Sequence, residues 1–391
     1  MSPLPEQGTP ALTEMDRRGD VVFVVGSAGD DTPARSFRVC SRTMARVSPV
    51  FDRMLFGHFA ESKSAASTAA DAANAAANAT DLLSFPGTPG AAAAAAAAPT
   101  AKEWTVHLRD DRPEAFDLFA GIAHGQYRRV PRSLSVDRLY ELTVLTHYYD
   151  ATPALTPWLQ GWVAGVGEGS HSAEMSSGHV AGRDGELVMP KVLWIAWELG
   201  HKQLFEGTAR RLVMESCGSL FGEESGLGEL SMPPDVIERV AAIRIETIRS
   251  IMDVFRDLVS KLVLVDEGPR WCRHASYMGP HRCESMILGS LTFCLTRAGL
   301  WPVPAAEDVE ESVLTLYSTL MNLVIHDIGR PSVDGRGGGG SSSSGVVVDH
   351  AECNPRGFLM ERIKNILAEV GSPVSEGHRK HLDRQIQRLL V

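Results

Sequence analysis

Three segments near the start of the chain have the hydrophobic pattern of β-strands. Between Asp20 and Gly26, residues 21–25 form an unbroken run of β-branched and aromatic residues, which predicts a strand buried on both faces. Phe37 and Val39 alternate with polar neighbours, as a second strand paired with the first requires. Residues 104–108 alternate in the same way and predict a third, half-buried strand.

Apolar residues three and four positions apart predict helices between and after these strands. Two short helices follow the second strand, and Ser48 with Pro49 has the chemistry of an N-cap and first turn for the second of them. Three further helices are predicted near residues 113–124, 135–150 and 157–163. The first half therefore has the order strand, strand, helix, helix, long insertion, strand and three helices.

The second half has helical periodicity throughout. The predicted helices span residues 192–214, 234–264, 285–300, 309–328, 358–370 and 378–390. The longest carries a continuous apolar stripe, which is typical of a core-facing helix. The fold class is predicted to be α+β, with a mixed first domain followed by an all-α domain.

Composition sets the predicted boundaries. Residues 62–102 consist mainly of Ala, Asn, Ser, Thr and Gly and offer almost nothing to bury, which predicts a disordered insertion. Stretches rich in Gly and Ser predict flexible connections. The expected organisation is a flexible tail at 1–18, a first domain at 19–164, a linker at 165–190 and a helical domain at 191–391 with a flexible insertion at 331–347.

Charge and cysteine content narrow the expected partners and compartment. The 391 residues carry a net charge of −10, which disfavours binding to nucleic acid or an anionic membrane. Two basic stretches, at residues 127–132 and 378–381, lack the interleaved aromatics of a nucleic-acid groove and are interpreted as solvated surface. Six scattered cysteines favour a reducing compartment. Without a signal peptide or a long apolar segment, a soluble protein of the cytoplasm or nucleus is expected.

The ordered series of motifs in the first half resembles the BTB/POZ domain, in the divergent form common in filamentous fungi. The resemblance covers roughly residues 20–163 apart from the insertion. It rests on Asp20, residues 37–41, Met44, residues 48–51, 54–55, 59–61, 106–108, 110–111, 115–116, 122–125, Tyr127 and the helix from Val136 to Tyr149.

This resemblance implies a short mixed sheet capped by helices and a role in protein–protein interaction. It implies self-association and presentation of the helical domain to partners, or alternatively a substrate adaptor of a cullin-type ubiquitin ligase. Phe51, Met54, Leu55 and Phe56 are the candidate interface residues, because aromatic and Met side chains carry much of the binding energy at interfaces. The competing interpretation places them in the domain's own core.

No enzyme motif is found in the sequence, so a non-enzymatic protein is predicted. The chain has no P-loop, no dinucleotide-binding fingerprint, no nucleophile elbow and no zinc-protease helix. The carboxylate pairs at 110–111 and 223–224 are adjacent residues, whose side chains point apart rather than towards one substrate. His147 is interpreted as a partly buried structural histidine, and Cys40 and Cys294 as core cysteines.

One group of residues has the chemistry of a metal site. Cys272, Cys283, His350 and Cys353 supply thiolates and an imidazole, which are the ligands that zinc prefers. Residues 283–302 with 350–353 also resemble the C-terminal half of many fungal BTB proteins. The sequence leaves two alternatives open: His274 or His281 in place of His350, and ordinary buried cysteines without a metal.

Overall fold

A computed structural model of the protein describes residues 12–27, 33–63, 65, 103–172, 187–264, 271–272, 280–327 and 350–390. These residues form an α+β protein with a small N-terminal sheet and many helices. The chain divides into two compact units. The first contains residues 1–180, 194–202 and 379–391, and the second contains residues 181–193 and 203–378.

The sheet of the first unit has four strands: β1 (Leu12–Glu14), β2 (Val21–Val25), β3 (Arg35–Val39) and β4 (Thr105–Leu108), in the order β1-β3-β2-β4. β2 pairs antiparallel with β3 and parallel with β4, which places Phe23 opposite both Phe37 and Val106. Phe23 and Val25 are fully buried. The unbroken apolar run of β2 thus reflects its central position, as the sequence predicted.

Helices pack around this sheet in the first unit. They are α1 (Ser41–Val47), α2 (Pro49–Phe56), α3 (Pro113–Ala123), α4 (Val136–Tyr148) and α5 (Thr156–Ser172). The predicted N-cap of α2 is confirmed, because the Ser48 hydroxyl accepts a hydrogen bond from the Phe51 amide at 3.0 Å. The Phe23 ring centroid lies 5.4 Å from those of both Phe51 and Phe116, and these fully buried rings lie in the core of the first unit.

Two segments from the second half of the sequence complete the first unit. Residues 194–202 and 379–391 belong to it rather than to the helical unit. They come from α6 (Val188–Glu198), the start of α7 (Lys202–Glu215) and α12 (Glu376–Leu390). The predicted division into a domain at 19–164 and another at 191–391 places both segments in the helical domain, whereas tertiary contacts group them with the first unit.

The second unit is helical and surrounds one long helix. Its remaining helices are α8 (Val236–Val263), α9 (Pro280–Arg297), α10 (Val313–Met321) and α11 (Arg356–Ala368). The apolar stripe of α8, including Ile248, Ile251 and Phe255, is fully buried. The side chains of α9, α10 and α11 meet it in a single hydrophobic core.

Buried Arg244 holds loops against the middle of α8. Its guanidinium donates to the carbonyl oxygens of Ser216 at 3.1 Å, Val309 at 2.8 Å and Glu311 at 2.7 Å. A buried charge is tolerated where it is fully hydrogen-bonded, and these carbonyls supply that compensation.

Several boundaries differ from the predicted ones. The predicted tail contains β1, whose register with β3 places Thr13 opposite Phe37. The predicted linker at 165–190 begins inside α5, which runs to Ser172. The predicted insertion at 62–102 lies outside the described residues except for residues 62, 63 and 65, and the predicted flexible insertion at 331–347 lies outside them entirely. Among the described helices, none combines the length and apolar character needed to cross a membrane.

Candidate metal centre

The four predicted metal ligands converge in the core of the second unit. One ligand atom from each of Cys272, Cys283, His350 and Cys353 lies within 4.8 Å of all the others, and all four residues are buried. The Cys272 sulfur lies 3.8 Å from His350 Nδ1 and 3.9 Å from the Cys353 sulfur. Zinc–sulfur bonds of about 2.3 Å place tetrahedral ligands about 3.8 Å apart, so these separations fit the ion closely.

Three separate pieces of the chain supply the ligands. Cys283 lies in the first turn of α9, which the core fixes in place. His350 and Cys353 lie in one 3-10 turn, residues 350–353. Side chains three apart in a 3-10 turn lie above one another, so this turn aims both at the same point. Cys272 completes the set from residues 271–272, which precede α9 in sequence.

Neighbouring hydrogen bonds orient the ligands. The Cys272 amide donates to Glu284 Oε1 at 3.1 Å, and the Trp271 indole donates to the Cys353 carbonyl at 2.7 Å. The Trp271 ring packs edge-on against Phe358 of α11 at 5.6 Å. Groups of this kind fix ligand geometry in metal sites. The sequence analysis missed the role of Glu284, although its position next to Cys283 was the available signal.

Burial and the neighbouring sulfurs disfavour the ionised form of the Cys283 thiol. Burial raises the pKa of the Cys283 thiol, and the neighbouring Cys353 and Cys272 raise it further. Three thiolates close together in a dry core repel one another, whereas a divalent cation binds the deprotonated form of each. The four residues could therefore hold a metal ion, which would bind the thiolate form of the cysteines.

His274 and His281, the two alternatives to His350, cannot be compared with it among the described residues. His274 lies outside the described residues, and so does the side chain of His281. His350 is 7% exposed and meets the cysteines directly, so the predicted set of four is the set that the fold brings together.

No known protein family, curated protein or solved structure matches this chain. The resemblance to the BTB/POZ domain thus rests on the residues and element order given above.

The predicted interface residues are divided between core and surface. Phe51 and Leu55 are fully buried, which removes them from a docking surface: Phe51 stacks on Tyr149 at 4.2 Å. Met54 is half-buried and Phe56 is 46% exposed. Phe59, which the sequence analysis did not select, is 57% exposed. Only helical periodicity along α2 could have separated these positions in advance.

The other candidate groups have ordinary structural roles. Asp111 accepts a hydrogen bond from the Tyr149 hydroxyl, and burial raises the pKa of Asp111. Glu223 and Glu224 are exposed in a 3-10 turn. His147 is half-exposed and its Nδ1 lies 2.7 Å from Glu198, which confirms the prediction of a partly buried histidine. Cys40 and Cys294 are half-buried rather than core residues.

Proposed function

We propose that this chain is a non-enzymatic protein-interaction protein that self-associates through its first unit and whose second unit is held together by a structural zinc ion. The observation that carries the zinc assignment is the closed, buried set of three thiols and one imidazole. Four protein ligands leave no coordination position for a substrate or an activated water. Thiolate and imidazole in a tetrahedron select zinc over harder cations such as magnesium or calcium.

Zinc would link distant parts of the second unit. Cys272 and His350 are 78 positions apart in sequence, and the two ligand-bearing segments at 271–272 and 350–353 carry no long helix of their own. A metal that fastens both to α9 contributes its binding free energy to folding.

The zinc assignment is tested on the purified full-length chain. We expect one zinc per chain by elemental analysis, and removal by a chelator should lower the unfolding temperature by about 5 °C or more. Cys283→Ser should lower both the metal content and the unfolding temperature. Replacement of zinc by cobalt should produce the absorption bands of a tetrahedral thiolate site, which reports on coordination independently of stability.

Cys294→Ser is the matched control, because Cys294 lies on the same helix outside the site. Its thiol donates to the Val324 carbonyl, a contact that a serine hydroxyl can retain. The zinc assignment is wrong if the purified chain holds no stoichiometric metal and the two serine variants behave alike.

Self-association is supported by the exposed aromatic residues that follow the α2 core positions. Phe56 and Phe59 are exposed in one short stretch, and Phe56 also contacts the edge of Trp104 at 6.5 Å. Because a two-fold interface uses the same patch twice, a small aromatic patch can serve both partners.

Sedimentation of the full chain at micromolar concentration should show a dimer that Phe56→Asp with Phe59→Asp converts to a monomer. Phe293→Asp, at an exposed position in the second unit, should leave the dimer intact. A wild-type chain that sediments as a monomer would exclude self-association. In that case, co-purification with a cullin would support the adaptor alternative.

A further inference from the structure

Three aromatic rings form a continuous series from the core of the first unit to its surface. Trp162 of α5 is fully buried, and its indole donates to the Pro131 carbonyl at 3.0 Å. Trp158 stacks on Trp162 at 6.1 Å and 18°, and Tyr127 contacts Trp158 at 5.6 Å. Tyr127 is 63% exposed. The outer rings are thus held on a rigid base and still reach solvent.

Three arginines, Arg128, Arg129 and Arg132, lie in the stretch of chain that contains Tyr127 and Pro131, and they differ in their contacts. The Arg129 guanidinium is engaged by Asp117 at 2.8 Å and by Gln126 at 2.8 Å. Arg128 and Arg132 are exposed, and neither makes an ion pair within the residues that the structure describes. Arg132 lies close to α5, because its carbonyl oxygen is 3.6 Å from the position a Cβ would take at Gly161.

We propose that the surface formed by Tyr127, Arg128, Arg132 and Trp158, termed the aromatic–arginine surface, binds an acidic segment of a partner protein. This partner is additional to the second copy of the chain proposed above, and the surface shares no residue with the Phe56–Phe59 stretch. The inference rests on charge complementarity: Arg128, next to exposed Tyr127 in the chain, and Arg132, whose carbonyl oxygen lies against α5, are exposed and have no carboxylate partner among the described residues.

The chemistry of each group defines the partner segment. A guanidinium binds a carboxylate through two parallel hydrogen bonds, so Arg128 and Arg132 select aspartate or glutamate. Exposed Tyr and Trp rings pack against apolar or proline side chains between such acids. Because Tyr127 and Trp158 already pack against each other and Trp158 stacks on buried Trp162, little side-chain freedom is lost on binding.

Binding is measured by fluorescence anisotropy with a short fluorescein-labelled peptide in which glutamates flank a central proline. We expect the full chain to bind it with an affinity that falls as salt rises. Arg128→Glu with Arg132→Glu should weaken binding at least about tenfold, and Tyr127→Ala should do the same. Tyr127→Phe, which keeps the ring, should bind nearly as the wild type does.

The matched control is Arg42→Glu with Arg109→Glu, which makes the same charge change at two other exposed arginines of the first unit and should leave the affinity unchanged. A peptide with alanine in place of glutamate should not bind. The inference fails if the wild type does not bind the glutamate peptide, if both double variants weaken binding equally, or if a single-stranded oligonucleotide binds more tightly. None of these measurements depends on zinc, and dimerisation is followed separately by sedimentation.

Discussion

At the scale of single residues, Glu198 is a buried acidic side chain of the first unit that requires hydrogen-bond donors around it. It is fully buried and contacts His147 Nδ1 at 2.7 Å, the Thr152 hydroxyl at 2.5 Å and the Gln385 amide at 3.2 Å. A buried carboxylate is destabilising by several kcal/mol unless donors of this kind surround it. Glu198 therefore links α4 and α12 to its own helix, α6, through hydrogen bonds.

This arrangement makes the stability of the first unit depend on pH. The hydrogen bond with Glu198 raises the pKa of His147, while partial burial and the nearby Arg388 oppose the rise. The folded state favours protonated His147. Its contribution to the free energy of unfolding is therefore complete below about pH 6.5, the usual pKa of a histidine in an unfolded chain. This contribution is lost as pH rises through the raised pKa of the folded state. His147→Gln should remove this loss, which we expect to be about 1 kcal/mol at most because His147 is half-exposed.

Chemical denaturation across this pH range checks the prediction. His124 provides an internal comparison, since burial lowers its pKa and its Nε2 accepts from the Cys40 amide at 3.0 Å. The contribution of His124 to the free energy of unfolding depends on pH in the opposite direction, and it is lost as pH falls below about 6.5. His147→Gln should leave that acid-side loss unchanged. If the free energy of unfolding changes with pH equally in the wild type and in His147→Gln above pH 6.5, the pH dependence does not come from His147.

At the scale of elements, one glycine decides where a helix ends. The periodicity predicts a single helix over residues 192–214, whereas α6 ends at Glu198 and α7 starts at Lys202. Gly200 has φ +66°, and the His201 and Gly200 amides donate to the Ala196 and Trp197 carbonyls at 2.8 and 3.3 Å. These are the bonds of a Schellman motif, which requires a left-handed residue at this position.

Gly200→Ala should therefore lower the free energy of unfolding by at least about 1 kcal/mol. A Cβ there would lie 2.9 Å from the Ile386 amide nitrogen of α12, which adds a steric clash to the backbone strain. Gly121→Ala is the matched control in the same unit, because Gly121 lies inside α3 and no atom lies within 4 Å of the added Cβ. It should stabilise the unit by about 0.5–1 kcal/mol. Urea denaturation of both variants is the measurement, and stabilisation by Gly200→Ala would contradict the prediction.

At the scale of the whole molecule, the described residues on either side of the predicted insertion are joined to each other. The Trp104 indole donates to the Glu61 carbonyl at 2.8 Å, and the Lys63 ammonium lies 5.6 Å from the centre of the Trp104 ring. The chain thus leaves and rejoins the first unit at nearly the same place. A connection of almost any length fits between such points.

Deletion of residues 64–100 should leave the unfolding temperature of the full chain unchanged or slightly higher. The sequence there offers little to bury, and loop closure varies slowly with length, by about 0.6 kcal/mol for each doubling. Replacement by an equally long Gly/Ser segment should give the wild-type value. Thermal unfolding decides: a loss of several degrees on deletion, reproduced by the Gly/Ser replacement, would mean that the natural segment packs against the folded chain.

The sequence by itself determined the elements whose signals are local. The buried run of β2, the alternation of β4 and the N-cap at Ser48 follow from side-chain period and capping chemistry, both set by neighbours along the chain. It also selected Cys272, Cys283, His350 and Cys353 as candidate metal ligands, because thiolate and imidazole are the ligands that zinc prefers, and the fold brings these four together.

Only the tertiary structure decided what these elements meet. Phe51, Leu55 and Phe56 are all apolar, and packing in the first unit buried the first two and left Phe56 46% exposed. Glu198 found its partner Gln385 at 187 positions' distance, and Cys272 lies beside Cys353 from 81 positions away. Hydrophobic periodicity predicts that one face of an element is buried. It does not predict which distant surface packs on that face, because this depends on the three-dimensional packing of the whole core.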